Sequence, residues 1–178
     1  MENLKSLSLI CNIFIVVATI SMSIGHCRVL QPSDAQLVAK TCKNTPYPSA
    51  CLQFLQADPR SSSADVTGLA LIMVDVIQAK TNGVLNKISQ LLKGGGDKPA
   101  LNSCQGRYNA ILKADIPQAT QALKTGNPKF AEDGVADAGV EANTCESGFS
   151  SGKSPLTSEN NGMHIATEVA RAIIRNLL

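Results

Sequence analysis

Apolar residues recur every three or four positions along four long segments of this 178-residue chain, and the spacing leaves few folds open to it. Such spacing puts apolar side chains on one face of a helix, whereas a half-buried strand needs strict alternation, which no segment shows. The sequence therefore predicts an all-α fold, an up-down-up-down four-helix bundle over residues 64–178. The predicted inward residues are Val66, Leu69, Ala70, Met73, Val76, Ile77, Val84, Ile88 and Leu91 in the first segment, Leu101, Cys104, Tyr108, Ile111 or Leu112, Ala119 and Leu123 in the second, Ala131, Val135, Ala138, Ala142, Cys145 and Phe149 in the third, and Met163, Ala166, Val169, Ala170, Ile173 and Leu177 in the fourth.

Helix start and stop signals flank these four segments. The signals are Asp65 as N-cap and residues 94–96 (three glycines) as the stop of the first helix, Pro99 in the first turn of the second and Pro117 as a kink within it, Asn127 as N-cap and Pro128 as first residue of the third, and Pro155 with Thr157 or Ser158 as cap of the fourth. Glu132 and Asp133 follow Pro128 closely enough that we expect them to complement the helix dipole.

A shorter helical hairpin, residues 32–60, precedes the bundle. Asp34 is predicted to cap its first helix, which carries Cys42, and Ser49 to start its second, which carries Cys51. The Thr-Pro-Tyr-Pro run at residues 45–48 separates the two helices, because proline rings interrupt a helix. One cysteine in each helix predicts that a disulfide staples the hairpin.

The first 25 residues have the pattern of a secretory signal peptide. Lys5 precedes an apolar run over residues 7–24 that ends in small residues, so cleavage is expected after Gly25 or, alternatively, after Cys27. An uncleaved membrane anchor is the competing interpretation, although the run is short for a span of about 20 residues. A signal peptide would send residues 32–178, as one domain with no membrane segment, into the oxidising secretory pathway.

Four cysteines are placed to pair in that pathway. Cys104 and Cys145 lie on the inward faces of consecutive helices, and antiparallel neighbours would bring them together. In the chain-entropy model, their loop of roughly 42 residues contributes about 4 kcal/mol, and a Cys42–Cys51 link contributes about 2.7 kcal/mol. Cys27 would be the odd cysteine, either trimmed away or left free.

Charge and histidine content exclude several classes of function. Sixteen Lys and Arg against 14 Asp and Glu form no dense basic stripe, so nucleic acid is not an expected partner. Two histidines, His26 and His164, are too few for a His-based zinc site or a triad, and we expect no metal, cofactor or catalytic residue. Residues 148–152 match the G-x-S-x-G pattern, but a predicted helix rather than a strand precedes Ser150, which favours a polar turn.

The start of the third bundle helix carries Pro128, Lys129 and Phe130, which a core-forming helix does not require. Phe130 lies about 100° away from the buried face that begins at Ala131, and Lys129 lies about 100° further. A ring and a cation at a proline-fixed helix start would project from the end of the bundle. The alternative is that Phe130 folds back onto the preceding helix as a hydrophobic staple.

Several motifs resemble those of the plant invertase inhibitor and pectin methylesterase inhibitor family. They are the spacing of Cys42, Cys51, Cys104 and Cys145, the run TCKNTP at residues 41–46, PKFAEDG at 128–134, SPLT at 154–157 and the ending RAIIRNLL at 171–178. The likeness spans essentially the whole chain after the leader. The Pro-Lys-Phe run is similar to the branch of cell wall and vacuolar inhibitors of β-fructosidase.

The resemblance implies a non-catalytic inhibitor with disulfides between the first and second and between the third and fourth cysteines. We expect the protein to be a monomer. It also implies that Pro128, Lys129 and Phe130 enter the active-site cleft of an acid invertase in the cell wall or the vacuole. The same fold could instead inhibit pectin methylesterase through a helical face. A secreted helical binding module with no enzyme target is the third alternative.

Overall fold

The computed structural model describes residues 32–149 and 153–178 of the chain. The predicted signal peptide, Cys27 and Ser150 of the serine pattern lie outside the described residues. The described helices are α1 (Pro32–Lys43), α2 (Pro48–Gln56), α3 (Val66–Lys93), α4 (Lys98–Ala110), α5 (Ile116–Lys124), α6 (Pro128–Ser147) and α7 (Thr157–Arg175).

Helix α3, the continuous rod of α4 and α5, helix α6 and helix α7 form a four-helix bundle, as predicted. Helix α6 packs against the rod on one side and against α7 on the other, and α3 closes the ring between the rod and α7. Contacts between the start of one helix and the end of the next show that neighbours run antiparallel, as in the pairing of Cys104 with Cys145. Within residues 32–149 and 153–178 there is no strand.

The core is built from aliphatic side chains and two aromatic rings, those of Tyr108 and Phe149, and Tyr108 is the one that makes a hydrogen bond. This tyrosine is fully buried, and its hydroxyl donates a hydrogen bond to Oδ1 of the buried Asn160 at 2.6 Å. The amide of Asn160 in turn donates to Oε2 of Glu146 at 2.6 Å. Burial, with the nearby charges of Glu159 and Glu146, raises the pKa of Tyr108, so the ring stays a neutral donor. This network joins α4, α6 and α7 beside the Cys104–Cys145 disulfide.

A π-helical turn, Ile111–Asp115, joins α4 to α5, where the sequence predicts a kink at Pro117. Proline has no backbone N–H, so the regular hydrogen bond of α-helices is missing at that position. The chain widens just before it, and the Ile116 amide donates to the Ile111 carbonyl five residues back. The proline is therefore accommodated by a π turn, and the rod continues to residue 124.

Helix α6 approaches this π turn closely at Gly134. A Cβ atom built on Gly134 would lie 2.8 Å from the carbonyl oxygen of Asp115 and 3.2 Å from the backbone nitrogen of Ala119. Only glycine fits at such a distance from a neighbouring backbone. The contact fixes the first half of α6 against the rod and so places the start of that helix.

The N-terminal hairpin is joined by the Cys42–Cys51 disulfide, as predicted. The two predicted starts are inexact: α1 begins at Pro32, which places Asp34 inside the helix, and α2 begins at Pro48, one residue before Ser49. Proline has the φ angle and lacks the N–H that a first helical position calls for, which explains both shifts. The hairpin packs on α3 and α7.

Helix α3 is capped as the sequence predicts, because Oδ1 of Asp65 accepts a hydrogen bond from the Gly68 amide at 2.7 Å. The cap predicted for α7 is wrong: that helix begins at Thr157, and no side chain caps it. The hydroxyl of Thr157 donates instead to Oε1 of Glu146 on α6. In the described part of the chain, α3 is the helix long and apolar enough to cross a membrane, but it buries its apolar face in the bundle.

Candidate target-binding site at the start of helix α6

A tight turn between α5 and α6 presents the Pro-Lys-Phe run at the end of the bundle. Gly126 has a positive φ of 73°, which glycine adopts without strain. Its amide donates to the Leu123 carbonyl at 3.3 Å, and the Asn127 amide donates to the Ala122 carbonyl at 2.8 Å. This pair of bonds is a Schellman motif, which ends α5 and turns the chain directly into Pro128.

Asn127 stands at the N-cap position of α6, as predicted, but its side chain does not cap the helix. Its amide nitrogen donates instead to Oγ1 of Thr125 at 3.1 Å, within the turn. The side chain therefore rigidifies the loop before Pro128. The conformation of this three-residue connection is set by Gly126 and Asn127 together.

Phe130 and Lys129 point into solvent. The phenylalanine is 62% exposed, so it does not fold back onto α5 as a staple. The Lys129 side chain is 66% exposed. Pro128 is half-buried beneath them. An exposed ring beside an exposed cation combines the two side-chain types that are enriched at binding hot spots, so this helix start is a candidate contact surface.

The ammonium of Lys129 is paired with two carboxylates of its own helix. Its Nζ lies 3.0 Å from Oδ1 of Asp133 and 3.2 Å from Oε2 of Glu132. Hydrogen bonds to Asp133 and then to Glu132 raise the pKa of Lys129, so the side chain remains a cation. The sequence predicts a projecting cation here but not its two partners.

Glu132 is buried at the junction of α6 and α7, although it is only four residues from the start of α6. Its side chain is 8% exposed, and its Oε1 lies 2.7 Å from both Nε and Nη2 of Arg175. Nη2 of Arg171 is 3.7 Å from the same oxygen. Burial raises the pKa of Glu132, but the hydrogen bonds from Arg175 and Lys129 outweigh it and hold the pKa below its ordinary value.

The expected role of Glu132 and Asp133 as first-turn partners of the helix dipole is therefore wrong. Both lie in the second turn, and each makes specific ion pairs instead. Sequence reasoning missed the buried carboxylate because it follows Ala131 directly, at the margin of the apolar face. The available signal was the pair Arg171 and Arg175, spaced one turn apart on the predicted last helix, because like charges at this spacing repel and favour an acidic neighbour.

Other features of the described residues do not form a competing site. An open cleft of about 390 Å³ lies between α3 and α7, and Lys87 on its wall is paired with Glu159 at 2.7 Å. His164 packs edge-on against Tyr47, with ring centroids 6.3 Å apart. Over residues 32–149 and 153–178, no three His, Cys, Asp or Glu side chains cluster as metal ligands would.

The described molecule is a disulfide-linked helical bundle that displays a cation and an aromatic ring on a rigid turn. An exposed cation and ring on such a turn form a candidate surface for binding another protein. The family model for plant invertase/pectin methylesterase inhibitors matches residues 36–173, so the chain belongs to this family. The family consists of inhibitors, and the chain is accordingly not an enzyme.

Individual relatives include inhibitors of both kinds of enzyme. The chain is 48% identical over 142 residues to cell wall / vacuolar inhibitor of fructosidase 1 of Arabidopsis thaliana, a match that covers 79% of this chain and 69% of that protein. It is 32% identical over 156 residues to a putative invertase inhibitor of Platanus orientalis, covering 81% of this chain and 91% of that one. A pectinesterase inhibitor of Actinidia deliciosa is 31% identical over 120 residues, covering 66% and 64% respectively.

A solved structure shares the fold. The mutant form A of a pectin methylesterase inhibitor from Arabidopsis superposes with a TM-score of 0.66 at 25% identity, covering 78% of this chain and 95% of that one. The similarity supports the helical bundle described above.

Proposed function

We propose that this protein inhibits acid invertase by inserting Pro128, Lys129 and Phe130 into the active-site cleft of the enzyme. The observation that carries the proposal is the exposure of Phe130, 62% of whose surface is open to solvent beside the cationic Lys129. The 48% identity to an inhibitor of fructosidase, against 31% to a pectinesterase inhibitor, favours the same target.

The chemistry of the two side chains suits a glycosidase cleft. Glycosidases place a pair of carboxyl groups across the scissile bond, so the cleft attracts a cation. Lys129 would exchange Asp133, whose side chain is 48% exposed, for carboxylates of the enzyme. Phe130 would fill the adjoining space and remove its own ring from water. The ordered turn at Gly126 and Pro128 lowers the entropy cost of binding.

The test is inhibition of sucrose hydrolysis by purified acid invertase. The double variant Lys129→Ala with Phe130→Ala is expected to lose inhibition at least a hundredfold, because a desolvated aromatic anchor and a cation are typical hot-spot residues. Val140→Ala is the matched control, because Val140 is on the same helix and is 60% exposed. The control should inhibit like the wild type, and both proteins should keep their helix content by circular dichroism. A double variant of unchanged potency would refute the proposal.

Inhibition of pectin methylesterase through a helical face is the second candidate, favoured by the relatives that carry that name. The two functions separate in one experiment, in which the same protein is added to sucrose hydrolysis and to pectin demethylation. Inhibition of demethylation alone, unaffected by the double variant, would select the second candidate. If neither reaction slows, the protein is a binding module with another partner.

We further propose that residues 1–25 are removed as a signal peptide and that the mature, monomeric protein acts in the cell wall or the vacuole. The relative named as a cell wall / vacuolar inhibitor supports both compartments. Sequencing the N-terminus of protein secreted from plant cells tests the cleavage site. Retention of Lys5 in the mature protein would overturn it.

A further inference from the structure

We propose that Glu132 is a positioning residue for the inhibitory contact, holding the Lys129 ammonium at the start of α6 while Arg175 fixes the carboxylate itself. This inference rests on the function proposed above and names the group that prepares the contact element for binding.

The two oxygens of the Glu132 carboxylate have different partners on opposite sides. Oε1 receives hydrogen bonds from Nε and Nη2 of Arg175, both at 2.7 Å, with Arg171 at 3.7 Å. Oε2 faces Lys129, whose Nζ donates to it at 3.2 Å. Because the guanidinium fork grips one oxygen and the surrounding helices bury the group, the carboxylate cannot rotate freely. Its second oxygen is thus a fixed point for the lysine.

Asp133 pairs with the same ammonium but has none of this support. Its side chain is 48% exposed, against 8% for Glu132, and it forms an ion pair with Lys129 alone among the described residues. An exposed pair of this kind contributes little and is screened by salt. Glu132 therefore orders the lysine, whereas Asp133 competes with any carboxylate that a target enzyme offers.

The arrangement also spans two helices. Arg175 lies in the last turn of α7, so the Glu132 carboxylate connects the end of that helix to the start of α6. A cation ordered by a buried, charge-paired group loses less freedom on binding than a free lysine side chain. Burial raises the pKa of Glu132, but the hydrogen bonds from Arg175 and Lys129 hold it below its ordinary value, so the same contacts that orient the carboxylate also favour its ionised form.

The experiment is a double-mutant cycle read as the inhibition constant for sucrose hydrolysis by acid invertase. Glu132→Gln and Asp133→Asn are each made in the wild-type chain and in the Lys129→Ala chain. Glu132→Gln should weaken inhibition about 3- to 10-fold in the wild-type chain, the range that matches the ordering cost of one long side chain. It should change nothing when Lys129 is already alanine. Asp133→Asn should strengthen inhibition up to about twofold.

Arg175→Gln is a second test, because it keeps the Glu132 carboxylate but removes the guanidinium that holds it. We expect a smaller loss of inhibition than for Glu132→Gln, and again only when Lys129 is present. Circular dichroism and thermal melting accompany each variant, so a folding defect is recognised separately.

Equal weakening by Glu132→Gln in both backgrounds would show a merely structural role and overturn the inference. Equal weakening by Asp133→Asn and Glu132→Gln would overturn it too. If Lys129→Ala weakens inhibition but neither Glu132→Gln nor Arg175→Gln does, the positioning role fails while the proposed function stands. If Lys129→Ala leaves inhibition unchanged, the contact element itself is refuted.

Discussion

The close approach of α6 to the π turn gives a prediction that can be worked through from distances. In Gly134→Ala the new methyl group would lie 2.8 Å from the Asp115 carbonyl oxygen and 3.2 Å from the Ala119 nitrogen. Both atoms belong to the backbone of the rod, so no side chain can rotate away. Helix α6 must shift outward, which separates packed core residues along its length.

The expected loss follows from two opposing effects. Overpacking of this kind costs about 2–3 kcal/mol. Alanine in place of glycine in a helix recovers about 1 kcal/mol. The net destabilisation is about 1–2 kcal/mol, and the melting temperature should fall by roughly 2–8 °C. Thermal unfolding followed by circular dichroism, with a urea titration for the free energy of unfolding, measures the change.

Gly106→Ala is the matched control, because Gly106 lies inside helix α4 and no atom stands within 4 Å of the Cβ that alanine would add. Here the gain of about 1 kcal/mol is unopposed, so the melting temperature should rise by roughly 2–4 °C. The two substitutions thus act in opposite directions. A Gly134→Ala protein that melts at or above the wild-type temperature would refute the close-packing argument.

Two further outcomes concern polar side chains, the half-buried Asp115 and the buried Tyr108. Burial, with the nearby charges of Asp137 and Glu141, raises the pKa of Asp115 to about 6 from an ordinary 3.8. The contribution of Asp115 to the free energy of unfolding is therefore full below pH 3.8 and is lost as the pH rises through about 6. Asp115→Asn should remove about 1 kcal/mol of this pH dependence, a figure that is reduced because solvent screens the half-buried group. Urea titrations at pH 4 and pH 7 measure the change. A variant that keeps the wild-type difference in unfolding free energy between the two pH values would contradict the prediction. Tyr108→Phe deletes the donor to Asn160, so the free energy of unfolding should fall by about 1–2 kcal/mol; an unchanged urea midpoint would count against the network.

The spacing of apolar residues and the helix start and stop signals were sufficient to predict the bundle, because each signal depends only on residues close to it in the sequence. The two disulfides followed from the same faces, since antiparallel neighbours bring Cys104 to Cys145. Pairings across helices were not predictable in this way. Glu132 looks like a solvent-facing residue until Arg175, 43 positions later, is packed beside it.

The π turn before Pro117 and the absence of a side-chain cap on α7 were also not predicted from the sequence. Pro117 predicts a disturbance of the helix, but the sequence alone does not predict the π turn that accommodates it. Thr157 has the chemistry of a cap, yet its hydroxyl finds a carboxylate on a neighbouring helix. Local sequence preference predicts where a helix start or an irregular turn lies, and contacts with other helices decide which hydrogen bonds it makes. Whether Phe130 is exposed or folds back onto α5 likewise depends on the packing around α5, which the sequence does not show.

The Cys104–Cys145 disulfide and the proposed contact element, Pro128 to Phe130, lie at opposite ends of α6. Fifteen residues separate Phe130 from Cys145, a rise of about 22 Å along the helix axis. Changes at the tip therefore leave the Cys104–Cys145 bond and the Tyr108 network untouched. A scaffold divided in this way could carry other short peptides in place of Pro-Lys-Phe, and libraries grafted between Gly126 and Ala131 would show how many different sequences the helix start accepts without loss of the fold.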